Sequence, residues 1–122
     1  MLKRLVSRWL PVLLWMGLIF FLSSRSDLPT IGDHTTDFIA KKDAHAFVYA
    51  VLAFLLLRAT SGSTRPALYA FAIAALYAVS DEFHQTFVFR REGTLRDIGI
   101  DAAAAALALV VVERLGLRRA LK

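Results

Sequence analysis

The residues able to do chemistry fall in three short stretches. Lys42, His45 and Tyr49 form the first, and SDEFHQ, running from Ser80 to Gln85, forms the second. The third reaches from Arg91 through Asp97 to Asp101. Carboxylates beside histidine offer hydrogen-bond acceptors and groups that trade protons, while lysine and arginine offer donors for phosphate or carboxylate. Glu82, Asp81, His84 and His45 are therefore the candidates for acid–base work. The candidate ligand-binding set is Lys42, His45, Tyr49, Asp81, Glu82, His84, Gln85, Arg91, Asp97 and Asp101. Simpler roles compete with these: an ion pair for Lys42, hydrogen-bonded core histidines, core or interface tyrosines at Tyr49 and Tyr77, and snorkelling side chains at Arg90, Arg91 and Arg96. No HExxH or comparable ligand spacing is present, so neither a metal nor another cofactor is expected. Asp33, His34 and Asp37 read as part of a solvated loop.

What must position these groups is strongly apolar. The chain has 122 residues, 57% of them hydrophobic, and no cysteine, which removes disulfides and thiolate metal sites. Four apolar runs, Trp9 to Leu22, Ala44 to Leu57, Pro66 to Val79 and Ile98 to Val112, alternate with charged connections. Each run is about fifteen residues, roughly 22 Å of helix, which is short of a hydrocarbon core of about 30 Å. Extended into their polar flanks, to about residues 5–24, 41–58, 66–89 and 97–114, they reach spanning length. Four helices apolar on every side have no face with which to meet water. The expected fold is thus all-α: one domain over residues 1–122, an integral membrane bundle of four transmembrane helices in the cell membrane.

Lysine and arginine set the orientation. Lys3, Arg4, Arg8, Arg58, Arg65, Arg114 and the basic tail share one side, whereas the acids concentrate on the other. Both termini are expected in the cytoplasm. A cleaved signal peptide is disfavoured because Ser23, Ser24, Arg25 and Ser26 form no small-x-small cleavage pattern. The net charge of +5 does not indicate nucleic acid, since the basic residues lie at segment ends rather than along one face. The longest connection, Arg25 to Ala40, contains Pro29 and Gly32 and is expected to fold as a loop over the outer end.

An even number of spans brings the polar ends together, and helical spacing assigns their faces. Lys42, His45, Tyr49, Ala53 and Leu56 form one stripe. Ala70, Ala74, Tyr77, Asp81 and Gln85 form a second, with Glu82 and His84 beside Asp81. Asp97, Asp101, Ala104 and Ala108 form a third, whose small residues are expected to pack closely against a neighbour. Lys42 at a helix start and Asp81 with Glu82 near a helix end oppose the helix dipole, so a partner or a ligand is expected to compensate them.

Lys42, His45 and Tyr49 opening a helix, SDEFHQTF from Ser80, Arg91, Asp97 and a small-residue helix after them resemble the VanZ-like membrane proteins. That family is named for a component of a glycopeptide-resistance cluster and is associated with low-level teicoplanin resistance. The resemblance covers roughly Ser23 to Ala108. It implies a small multi-helix integral membrane protein of the bacterial cell envelope, with its polar signature at the outer surface, and it implies no mechanism. Phe89, Arg90 and Arg91 stand where the family tends to have Pro-Gly-Arg, Asp101 stands in place of an asparagine, and Ala104 and Ala108 replace glycines.

Two functions follow as expectations. The polar pocket recognises, or protects against, a lipid-linked cell-wall precursor or a glycopeptide-like ligand in a setting of membrane lipid. Alternatively, an intramembrane enzyme uses the Asp, Glu, His and Arg groups on a lipid-linked phosphate or peptide. Transport through one chain is disfavoured, because the middles of the four runs carry no charged residues. The oligomeric state is not legible in the sequence.

Overall fold

The computed structural model describes residues 1–24, 32–85, 87 and 95–116, and side chains for 1–23, 32–33, 43–85, 87 and 98–116. Among the described residues four α-helices follow in order: α1 Leu2–Ser24, α2 His34–Ala59, α3 Pro66–Gln85 and α4 Leu95–Arg114. Among the described residues there is no strand, as expected of an all-α chain. Alternate helices run in opposite directions. The start of α1 meets the end of α2, where Arg58 donates to the Ser7 carbonyl at 3.1 Å. The end of α1 meets the end of α3, where Phe20 stacks on His84.

Two boundaries differ most from expectation. α2 begins at His34, so the second half of the expected loop is helical and carries Asp37 inside its first turns. Gly32 takes φ 68°, a left-handed value that glycine adopts freely, and Asp33 then occupies the position before the helix, where its residue type favours capping. α3 ends at Gln85 rather than near Phe89, because the Phe87 amide turns back to the His84 carbonyl at 3.0 Å and tightens the chain out of the helix. At the other end of the bundle Thr60 closes α2, its hydroxyl 2.8 Å from the Leu56 carbonyl and 3.0 Å from that of Pro66.

Pro11 lies inside α1 and has no N–H to give the Ser7 carbonyl four residues earlier. The Arg58 guanidinium fills that place. Two further bonds fasten α1 to its neighbours: the Trp15 indole donates to the Val48 carbonyl at 2.8 Å, and the Tyr77 hydroxyl donates to the Met16 carbonyl at 2.6 Å. Each satisfies a polar side-chain tip in otherwise apolar surroundings.

The core is built from Tyr49, Leu52, Ala53, Leu56 and Leu57 of α2, with Ala70, Ala74 and Ala78 of α3 against them. Val12 and Ile19 close it on one side, and Ala105, Leu109 and Val112 on the other. The stripes expected on α2 and α3 are thus the packed ones. On α4 the buried residues are Asp101, Ala105, Leu109 and Val112, a face turned by roughly 60° from the expected Asp97, Asp101, Ala104 and Ala108. Ala104 and Ala108 sit at the edge of that face, Ala108 still packed against the core, and both line a surface groove between α2 and α4 with Ala46, Ala50 and Phe54 opposite. The reason is that Ala102 to Ala106 presents the same methyl on every side, so larger residues further along the helix decide its rotation. Large apolar side chains face outward on every helix, among them Leu13, Phe47, Leu76 and Leu107, each more than half exposed. One helix, Leu2–Ser23, is long and apolar enough on length and composition alone to cross a membrane, among the described residues.

Ala105→Leu should destabilise the bundle by about 1–3 kcal/mol through overpacking, whereas Ala104→Leu should be tolerated because it extends into the groove. Thermal unfolding in detergent reads both, and equal losses would contradict this rotation of α4. Arg58→Ala should cost about 1 kcal/mol in the native chain and clearly less beside Pro11→Ala, where the Ser7 carbonyl regains a backbone donor.

Candidate functional site

The polar cluster is assembled by three helices at the end of the bundle opposite Arg58. α2 supplies His45 and, one turn deeper, Tyr49. α3 supplies Asp81 and Glu82 at its end, and α4 supplies Asp101. The apolar stripes below these residues dock α2, α3 and α4, and the same stripes carry the polar residues inward at their ends.

His45 is the centre. Its Nδ1 lies 2.6 Å from Asp101 Oδ1 and its Nε2 lies 3.2 Å from Asp81 Oδ2. The ring satisfies both carboxylates at once when both nitrogens carry hydrogen, in which state a positive ring lies between two negative groups. The Tyr49 hydroxyl donates to the same Asp81 oxygen at 3.1 Å. Asp101 is fully buried, Asp81 and Glu82 are 4% and 3% exposed, and the His45 side chain retains 21% exposure. Carboxylates this deep are costly without opposite charge or hydrogen-bond donors, and the His45 ring meets part of that need for two of them.

Of the expected site residues, the structure brings together His45, Tyr49, Asp81, Glu82 and Asp101. Gln85 is buried one turn beyond Asp81 on α3. His84 is stacked on Phe20 of α1 with ring centroids 4.5 Å apart and planes 27° from parallel. Tyr77 lies with its ring 6.3 Å from that of Tyr49, its hydroxyl committed to α1. The backbones of Lys42 and Asp97 belong to α2 and α4, but their side chains lie outside the described residues, as does all of Arg91.

One combination is absent from any local motif. His45, Asp81, Glu82 and Asp101 can each present one donor atom, and these atoms lie within 4.8 Å of one another. One imidazole nitrogen with three carboxylate oxygens is a donor set able to hold a divalent cation. No ligand spacing signals it, because the donors come from three helices. The only sequence signal was the helical phase of each stripe, which aims His45, Asp81 and Asp101 at the common axis.

A helical bundle that encloses carboxylates around a histidine at one end, and shows apolar side chains on its flanks, defines a small all-α protein with a membrane-like surface. The model of the VanZ/LLP1 family matches residues 8–116, nearly the whole chain, and the protein belongs to that family. It is accordingly a VanZ-like protein of the cell envelope. No curated protein and no solved structure matches it.

Replacing His45 with leucine removes the ring that joins two buried carboxylates and should lower stability by about 3 kcal/mol. Tyr49→Phe removes one of the donors to Asp81 and should cost about 1 kcal/mol. Chemical unfolding of the two variants should give that order; the reverse order would displace His45 from the centre of the cluster.

Proposed function

We propose that this protein crosses the cell membrane four times with both termini in the cytoplasm, and that its outer polar end recognises the head group of a lipid-linked cell-wall precursor or a glycopeptide-like ligand. The observation that carries the reading is the convergence of His45, Tyr49, Asp81, Glu82 and Asp101 from three helices at one end of an otherwise apolar bundle. Ionisable groups held at such a position are costly for stability alone, and function accounts for keeping them.

Several features support the spanning part. The helices have 23, 26, 20 and 20 residues, and even 20 residues of helix reach about 30 Å, the thickness of a hydrocarbon core. Apolar side chains are exposed on all four. The arginines Arg4, Arg8, Arg58 and Arg65 gather at the end opposite the carboxylates, which favours that end for the cytoplasm. At the outer end, carboxylate oxygens suit a ligand rich in hydrogen-bond donors, as amide-bearing and sugar-bearing head groups are. Lys42 and Arg91 remain candidates for meeting phosphate or carboxylate there.

A second reading is favoured by one distance. Asp101, 2.6 Å from His45 Nδ1, orients the ring as a carboxylate orients a proton-transferring imidazole. In an intramembrane enzyme His45 would shuttle the proton, and Asp81 or Glu82 would act as base on a lipid-linked phosphate or peptide.

The two readings separate in one experiment. Purified protein in bilayers is titrated with lipid-linked precursor and with teicoplanin, alongside Glu82→Gln, Asp101→Asn and Lys42→Ala, and the ligand is recovered and analysed. Saturable binding weakened about tenfold or more in the variants, with ligand intact, is the expected result, tenfold corresponding to the loss of one charge-assisted hydrogen bond. Conversion of the ligand that stops in Glu82→Gln would replace recognition with catalysis. Equal affinity throughout the series would make the cluster purely structural.

A further inference from the structure

The opposite end of the bundle holds a cleft that the reading above does not use. It has a volume of about 470 Å³ and is lined by Met1, Arg4, Leu5, Arg8 and Trp9 of α1, with Ala59 of α2 as the opposite wall. The α1 residues recur at the three- and four-residue spacing of a single helix face, so Arg4 and Arg8 stand one turn apart with Leu5 and Trp9 beside them. One side of the cleft is therefore cationic and the other apolar.

The placement of these charges is unfavourable on local grounds. Arg4 and Arg8 are like charges at i and i+4, in the opening turns of a helix whose first turn carries no acidic residue. Among the described residues neither guanidinium has a hydrogen-bonding or ion-pairing partner, while the nearby Arg58 is engaged by the Ser7 carbonyl. Arg8 also approaches the connection after α2, its Nη1 3.6 Å from where a Cβ on Gly62 would lie, so the cleft is bounded on that side too. Two free guanidinium groups with an indole and a leucine alongside match an anionic group attached to a hydrocarbon chain.

We infer that this cleft binds the phosphate of an anionic phospholipid of the cytoplasmic leaflet, with Arg4 and Arg8 on the phosphate and the upper part of an acyl chain against Leu5 and Trp9. The inference rests on the membrane-spanning reading, because that reading brings the cleft to the level of the head groups. Bound lipid would neutralise the charges that α1 cannot, and would fix the depth of α1 in the membrane.

Trp9 is the reporter. The other tryptophan, Trp15, lies about 9 Å further along α1, so bromine placed near the lipid head group quenches Trp9 first. The full-length protein is reconstituted in phosphatidylcholine bilayers and titrated with brominated phosphatidylglycerol or brominated phosphatidylcholine. The expected result is a roughly thirtyfold preference for phosphatidylglycerol, the scale expected of two basic residues near an anionic head group. That preference should be lost in the double variant Arg4→Gln with Arg8→Gln and kept when both become lysine.

Quenching by both lipids without preference, or a preference unchanged in the glutamine variant, would overturn the assignment while leaving the spanning reading in place. No quenching by either lipid would overturn both. Displacement of the brominated lipid by millimolar inorganic phosphate, beyond the effect of chloride at equal ionic strength, would overturn the lipid as occupant in favour of a free anion.

Discussion

The structure depends on how three carboxylates are held away from water. Asp81, Glu82 and Asp101 are buried at one end of a helical bundle, where an ionised group without a partner costs several kcal/mol. His45 stands between two of them and bonds each with a different ring nitrogen. Because the ring is planar and its nitrogens lie on opposite sides, both bonds form only when α2, α3 and α4 have one mutual rotation and one register. The apolar packing beneath sets that arrangement, and the polar contact reinforces it. A slip of one turn along α4 would carry Asp101 away from the ring and leave both groups worse solvated.

α1 is joined to this core by different means. Beyond its basic opening turns its outward face is apolar, and its inward contacts rely on Val12, Ile19 and side-chain donors that reach backbone carbonyls. The Pro11 ring removes one backbone donor, and Arg58, at the end of α2, supplies the replacement. The same arginine-rich end faces the start of α1, so among the described residues the two ends differ in chemical character: carboxylates around a histidine at one, guanidinium groups at the other.

Much of this was legible from residue spacing. Tyr49, Ala53 and Leu56 on α2, and Ala70, Ala74 and Asp81 on α3, are buried as a period of 3.6 requires, because bulky, small and polar residues alternate there clearly enough to mark a face. On α4 the expected face shares Asp101 and Ala108 with the packed one but is rotated from its centre at Ala105 and Leu109, since five consecutive alanines carry no phase information. The start of α2 was missed because Ser, Thr and Asp between Pro29 and Ala40 look like a loop. In the fold Gly32 and Asp33 make the turn, and His34 begins the helix.

By itself the sequence determined that the chain is helical, that its helices are apolar on their flanks, and that its ionisable groups collect at helix ends. These are properties of single segments, dictated by composition and by the geometry of one helix. Only the tertiary structure decided that His45 pairs with Asp101, 56 residues away, as well as with Asp81, and that His84 stacks on Phe20. Spacing places a side chain within the frame of its own helix. Distances between helices depend on their relative rotation and register, which follow from the joint packing of Tyr49, the α3 alanines, Leu109 and Val112. That is why the candidate residues could be listed from the sequence, while the four-donor cluster appeared only when three helices were packed together.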